Sequence, residues 1–299
     1  MKNIIISCLV LFFFASCTVS EFIASIGSEK QNKYLTYQNI VILSDMSSRL
    51  VNRPQKDINE ILNIVQFFKT ECVKPGLKIG DKSCISFSAF SEKTAATIDI
   101  NSIKNLGEKQ RFINSTAEYQ NRGLNQQITN FNSAVKNVYA TTRNEGLDLI
   151  SLLIEKISNE HIIKENTYLT DGIDTTYLNY ENHIYIFTDG YLEYGDKNAN
   201  SQFYFGNSEI QEVRKYCKDN KVDIKKALES DTTLCLPAYK NKFNNYINLH
   251  ILETHERDKN ITLQTYNHPI GQRDNEILEA VWRKWAKDSG FKDLIWDKY

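Results

Sequence analysis

The chain has 299 residues, 41% of them apolar and 11% aromatic, which is enough for a sizeable core and argues against wholesale disorder. Its formal charge of −1 excludes a general electrostatic attraction to nucleic acid or to an anionic membrane surface. Length alone suits one large α/β domain or two small ones.

At the N-terminus, Met1-Lys2-Asn3 is a short positive segment followed by an apolar run over residues 4–14. That run has the length of a signal-peptide core and is too short to cross a bilayer comfortably as a helix. The next residues, Phe14-Ala15-Ser16-Cys17, resemble a bacterial lipobox, in which small residues precede a cysteine that is acylated and becomes the new N-terminus. The resemblance implies a signal peptide over 1–16, lipidation at Cys17 and a lipidated tether over 17–37. It also implies a bacterial cell-envelope location, periplasmic or surface-facing, with the outer membrane favoured. Acyl chains contribute about 0.8 kcal/mol per buried methylene, so a multiply acylated cysteine anchors stably. No later stretch approaches the roughly 20 apolar residues of a spanning helix.

Residues 39–44 (NIVILS) form a continuous apolar run ending in a polar cluster, as in a central strand buried on both faces. Ile58, Ile61, Leu62, Val65 and Phe68 recur at helical spacing and predict an amphipathic helix over 57–71. Pro75-Gly76 and Gly80-Asp81 mark the turn out of it. Residues 83–90 alternate as a strand, with 97–100 as a short neighbour. Ile128, Phe131, Val135 and Val138 mark a helix, and 147–157 a second that is apolar nearly all round. Residues 183–188 (HIYIFT) are the second strong strand. Ser208 and Gln211 predict a capping box for a helix carrying Ile210, Val213 and Tyr216. A third strong strand covers 247–252, and Ile277, Leu278, Val281, Trp282 and Trp285 give a C-terminal helix. The stretches 101–126, 159–182, 191–207 and 220–245 read as insertions or long loops, the last partly helical.

This alternation predicts an α/β fold with a mostly parallel central sheet and helices on both faces. With no internal repeat and no Pro- or Ser-rich linker, one domain over 38–299 with loop insertions is the expected organisation.

Cys8 lies in the signal segment, which leaves Cys72, Cys84, Cys217 and Cys235 beside Cys17. An even number in an exported protein suggests disulfides, and four cysteines allow three pairings. The pairing local in sequence, Cys72–Cys84 and Cys217–Cys235, is favoured; each bridge would contribute roughly 3 kcal/mol by closing a polar loop. Buried thiols are the alternative. No CxxC pair is present to suggest zinc.

Ligands of open α/β sheets bind at the carboxyl ends of the strands. Two aspartates stand there by sequence: Asp45 in Ser44-Asp45-Met46-Ser47-Ser48-Arg49, and Asp189 in Phe187-Thr188-Asp189-Gly190. The pair of segments resembles the von Willebrand factor A-type (integrin-I-like) family, whose strands end in Asp-x-Ser-x-Ser and (Thr/Ser)-Asp-Gly. The resemblance implies a Rossmann-like three-layer architecture and a metal-ion-dependent adhesion site. Asp45, Ser47 and Asp189 would be its ligands for Mg²⁺ (or Mn²⁺ or Ca²⁺), a hard-cation donor set. A protein partner would complete the coordination with a carboxylate.

The match departs from the family pattern where Arg49 replaces the last serine; Ser48 is out of phase. The family's threonine has no clean counterpart. Thr141 and Thr142 precede a helix, and aligning Gly146-Leu147-Asp148 puts Leu147 there, which leaves Thr142 or Asp148 as substitutes. Thr188 and Arg49 are further residues that would modulate the site. A guanidinium beside two carboxylates competes with Mg²⁺ and can satisfy them by bidentate hydrogen bonds. A metal-free reading therefore stands beside the metal one, and so does a reading in which both aspartates only cap turns and helices.

Other candidates carry less. His250 and His255 straddle the last strong strand but fall on opposite faces. His255-Glu256-Arg257-Asp258 superficially resembles a kinase catalytic loop, without the glycine-rich loop or Asp-Phe-Gly that would accompany one. Thr170-Asp171-Gly172 reads as a turn. As a phosphoryl acceptor Asp45 would want a second acid where Ser47 stands. Trp282, Trp285 and Trp296 read as core anchors. No GxSxG, HExxH, Walker loop or GxGxxG occurs. The expected function is therefore protein binding by a membrane-anchored envelope lipoprotein, not catalysis. A metal-free scaffold or assembly subunit of an envelope complex is the first alternative, and a metal-dependent hydrolase the second.

Overall fold

A computed structural model describes residues 32–47, 54–74, 82–144, 146–171, 174–195 and 202–298. The signal segment, Cys17 and the tether through residue 31 lie outside the described residues, as do Ser48 and Arg49. The first strand, β1 (Asn32–Ser44), contains the apolar run 39–44 and reaches back into residues 32–37, which had read as tether.

The chain continues through α1 (Pro54–Phe67), a π-helical turn (Phe68–Val73), β2 (Cys84–Ala89) and β3 (Ala96–Asp99). Then come α2 (Leu106–Asn114), α3 (Leu124–Thr141), α4 (Leu149–Ser158), β4 (Thr167–Thr170) and β5 (Thr175–Thr188). The last third holds α5 (Asn207–Asn220), α6 (Ile224–Ser230), β6 (Ile247–Glu253), β7 (Lys259–Asn260), β8 (Thr265–Tyr266), α7 (Asp274–Ser289) and β9 (Asp293–Lys298). The predicted α/β architecture is present: a seven-stranded sheet of order β3-β2-β1-β5-β6-β9, with β4 added beside the first half of β5. Pairings β1–β2, β1–β5, β5–β6 and β6–β9 are parallel, while β3 and β4 run antiparallel to their neighbours.

Period-two alternation divides the core into two layers. Ile40 and Ile42 of β1, with Ile85 and Phe87 of β2, face buried side chains of α1, α2 and α3. Val41 and Leu43, with Ile184, Ile186, Leu249 and Ile251, face α4, α5, α6 and α7. Each such side chain, fully buried, is worth roughly 1.5–3 kcal/mol, which is why the central strands read as unbroken apolar runs. The result is a three-layer sandwich. No helix among the described residues is long and apolar enough to cross a membrane.

Several expectations need correction. Stretch 101–126 contains α2 and the start of α3, because Asn105 caps α2 by accepting the Glu108 N–H at 3.0 Å. Stretch 159–182 contains β4 and the first half of β5, and stretch 220–245 contains α6, capped by Asp223. The capping box at Ser208 and Gln211 is displaced. Helix α5 starts at Asn207 behind Gly206, whose N–H donates to Glu209 at 2.8 Å, so glycine supplies no side chain for the other half.

The four cysteines are thiols, not disulfides. Cys72 sits in the π-turn and Cys84 in β2, where its Sγ lies 2.9 Å from Asn39 Oδ1. Cys217 is on α5, and Cys235 Sγ lies 3.2 Å from the Leu228 carbonyl.

Candidate functional site

Winding direction reverses between β1 and β5: β2 and β3 lie to one side, β6 and β9 to the other. In open α/β sheets this switch point leaves a crevice at the carboxyl ends of the strands. The last register pair there is Ser44–Phe187, and Asp45 continues it by donating its N–H to the Phe187 carbonyl at 2.9 Å. Asp45 and Asp189 thus leave adjacent strands one residue apart in register, and both are buried. The sequence reading placed these two correctly.

Asp45 organises its own loop. Oδ1 accepts the Ser47 N–H at 3.0 Å and Oδ2 accepts the Ser47 hydroxyl at 3.0 Å, an Asx turn that holds residues 45–47. Beneath it, Ser44 hydrogen-bonds the Tyr139 hydroxyl, which donates to Asp57 Oδ2 at 3.0 Å and ties β1 to α3 and α1.

Neighbouring loops converge on this rim. Asn144 donates its N–H to the Met46 carbonyl and its side-chain amide to Ser91 Oγ, both at 2.9 Å. Gly146 lies so close to Glu193 that a β-carbon would stand 2.2 Å from the Glu193 carbonyl oxygen. Only glycine permits that approach. Thr188 is buried and accepts the Gly190 N–H at 3.1 Å, shaping the turn that presents Asp189.

Asp189 is paired with an arginine that the sequence reading did not assign to the site. Its Oδ1 accepts the Tyr191 N–H at 3.3 Å, and its Oδ2 accepts Arg257 Nε–H at 2.8 Å. Arg257 comes from the loop after β6. Its other arm donates to the Glu193 carboxylate, and the guanidinium carbon lies 3.8 Å from the centroid of the Tyr191 ring. Tyr191 in turn hydrogen-bonds Asp274, which pairs with Arg214, while the Asp274 N–H donates to Asp258 Oδ2 at 3.1 Å. Burial holds the Tyr191 phenol above its usual range, so it stays a neutral donor. In segment 255–258, which superficially resembles a kinase catalytic loop, the arginine and the aspartate brace the switch-point loops.

The remaining candidates serve helix ends. Asp148 caps α4, accepting the Ser151 N–H at 3.0 Å and the Ser151 hydroxyl at 2.6 Å. Thr142 closes α3 with its N–H on the Val138 carbonyl at 2.9 Å.

Among the described residues, no group of three or more His, Cys, Asp or Glu side chains that could hold a metal ion comes together. An arginine already holds one oxygen of Asp189, and the residue expected to add oxygen, Asp148, caps α4. A cation that wants six or more oxygens would have to displace a guanidinium that is itself held by Glu193 and Tyr191. Arg49, the arginine expected to compete with metal, lies outside the described residues; among those described, Arg257 pairs with Asp189. Among known proteins, no family model matches the chain, and no curated protein shows significant similarity to it.

Proposed function

We propose that this chain is a lipid-anchored envelope protein that binds a protein partner through the rim at the β1–β5 switch point, and does so without a bound metal. The observation that carries the reading is the Asp189–Arg257–Glu193 arrangement, which places a fixed cation among strand-end carboxylates. Such a cluster, braced by Tyr191 and by loops from four parts of the chain, is a rigid polar surface suited to recognition. The von Willebrand A-type likeness is supported by the two motif aspartates lying at adjacent strand ends. The anchor is supported by the order of charge, apolar run, small residues and Cys17.

The test has two arms. Millimolar Mg²⁺ or Mn²⁺ is expected to leave the melting temperature unchanged. A ligand at 100 times its dissociation constant would add about 2.7 kcal/mol, a readily measured shift. A rise that Asp45→Ala abolishes would overturn the metal-free reading. In cells, a photo-crosslinking residue at half-buried Ser47 or Glu193 is expected to give a discrete protein adduct. The same probe at Tyr168, on the opposite end of the sheet, should not. Equal adducts at both ends, or none at the rim, would remove the strand-end face from consideration.

A further inference from the structure

At the end of the sheet opposite the switch point, the first halves of β1 and β5 pair from Asn32–Thr175 to Tyr37–Tyr180, before the β6 register begins at Asn182. Strand β4 runs antiparallel along β5 there, so three strands form a tongue. Their register sets Tyr34 beside Tyr177 and Tyr177 beside Tyr168 on one face. The Tyr34 and Tyr177 rings stack with centroids 4.9 Å apart, and Tyr168 follows at 6.5 Å. Tyr34 is 64% exposed and Tyr168 67%, so both outer rings of this ladder are open to contact.

Such an edge is unusual. Strand β4 (TYLT) is exposed throughout and carries no charge, and no strand pairs with its outer edge among the described residues. Edge strands ordinarily carry charge or proline, or are covered. The described charged side chains of the tongue are Lys33, Asp171 and Asp174, all exposed, one cation to two acids. That balance gives no attraction to an anionic surface and leaves the tyrosines as the contact. A phenol ring has an apolar body and a polar tip, the combination enriched where a bilayer meets water. Position points the same way. Asn32 stands 15 positions after Cys17, a reach of at most about 50 Å, so the chain enters the fold from its anchor at this tongue. An open strand edge has backbone groups that hydrocarbon does not satisfy, so the ladder belongs at headgroup level, where water reaches them.

We infer that the Tyr34–Tyr177–Tyr168 ladder rests on the headgroup region of the bilayer that holds the anchor, and so turns the switch-point rim away from it. The inference rests on the lipid-anchor reading above. Strand β5 runs from Thr175 to Thr188 at roughly 3.3 Å per residue, which sets the rim about 40 Å from the tongue.

The test places an aromatic photo-crosslinking residue at Tyr168 or, as a control in the loop after β6, at Leu263, which is 68% exposed. The full chain, expressed with its own N-terminus, is reconstituted in vesicles of phosphatidylethanolamine and phosphatidylcholine. After irradiation the Tyr168 probe is expected to carry the mass of one phospholipid, and the Leu263 probe is not. Tyr34→Ser with Tyr177→Ser should lower the Tyr168 lipid adduct at least about threefold, with urea midpoints confirming that the variant folds. If the double variant fails to fold, Tyr34→Ser alone carries the comparison. An unchanged adduct in a folded variant would mean that the tether alone brings the tongue to lipid, and overturns the inference. So does equal lipid labelling at Leu263, no lipid at Tyr168, or an adduct of Tyr168 with a second copy of the chain, in which β4 pairs with itself. The intact mass of the native protein reads the anchor separately. A chain with no acyl group on Cys17 removes the anchor reading and this inference with it, whereas an acylated chain that fails at Tyr168 removes the ladder alone.

Discussion

Asp189 shows how one residue can be legible while its partner is not. Its position followed from an apolar strand meeting Asp-Gly, a pattern local in sequence. Arg257 lies 68 positions away, and only the packing of the β6 loop over the end of β5 brings the two together. Asp45 and Ser47 were legible for the same local reason, since an Asx turn is written in three consecutive residues. The cysteines misled because parity and spacing say nothing of where each Sγ points. The Asp189–Arg257 pair also makes a prediction at this scale. The carboxylate is only 3% exposed and the arginine 39%, so solvent screens the pair and its loss should fall near the low end of the range for a half-buried ion pair. Arg257→Met is expected to destabilise the fold by about 1–2 kcal/mol, chiefly by stranding the Asp189 oxygen. Adding Asp189→Asn should recover part of that loss. Urea midpoints of the two single variants and the double variant measure it, and a silent Arg257→Met would show that the pair does not brace the rim.

Elements were readable where they carried their own periodicity and hidden where a neighbour supplies it. Helices α2 and α6 sit in polar stretches, and their starts are set by Asn105 and Asp223 caps that ordinary loops also contain. Strand β9 was missed because only Leu294 and Trp296 of its six residues are buried; the parallel pairing with β6 makes it a strand. That strand and α7 close over the switch point through Gly190. The Trp282 Nε1–H donates to the Gly190 carbonyl at 2.9 Å, and a β-carbon at Gly190 would lie 2.8 Å from Trp296 Cη2. Its φ of 85° adds a backbone cost for any other residue. Gly190→Ala is therefore expected to cost about 2–4 kcal/mol, about 1–2 from the left-handed backbone and the rest from displacing Trp296. Near-ultraviolet circular dichroism should report the tryptophan shift alongside the lower urea midpoint. An unchanged midpoint would mean that β9 yields at no cost and does not clamp the turn.

Across the whole molecule, sequence reading reached the class of fold but not the strand order. Alternation tells which residues face each layer, whereas order depends on which helix covers which strand. Strand β6 shows a consequence visible only in the assembled sheet. It carries two buried titratable groups whose protonation states oppose each other. His250 packs against His183 with 2.9 Å between ring nitrogens and stacks on Tyr185 at 4.2 Å. Burial, reinforced by His183, lowers it from 6.5 to about 4. Between those values the unfolded chain holds a proton that the folded chain refuses, so the His250 contribution rises with pH. His183, lowered mainly by burial, adds in the same direction. Glu253 does the reverse. Raised from 4.5 to about 7, it keeps a proton in the fold that the unfolded chain releases, so its contribution is complete below 4.5 and lost as pH rises toward 7. From pH 4.5 to 6.5 the two slopes, each at most about 1.4 kcal/mol per unit, oppose each other. Stability from this pair should be nearly flat there in the native protein. Glu253→Gln should expose the histidine slope, gaining stability from pH 5 to 6.5, and His250→Gln should expose the glutamate slope, losing it. Urea midpoints at those two pH values for the three proteins decide the matter, because parallel behaviour of all three would mean that neither group is titrating inside the fold.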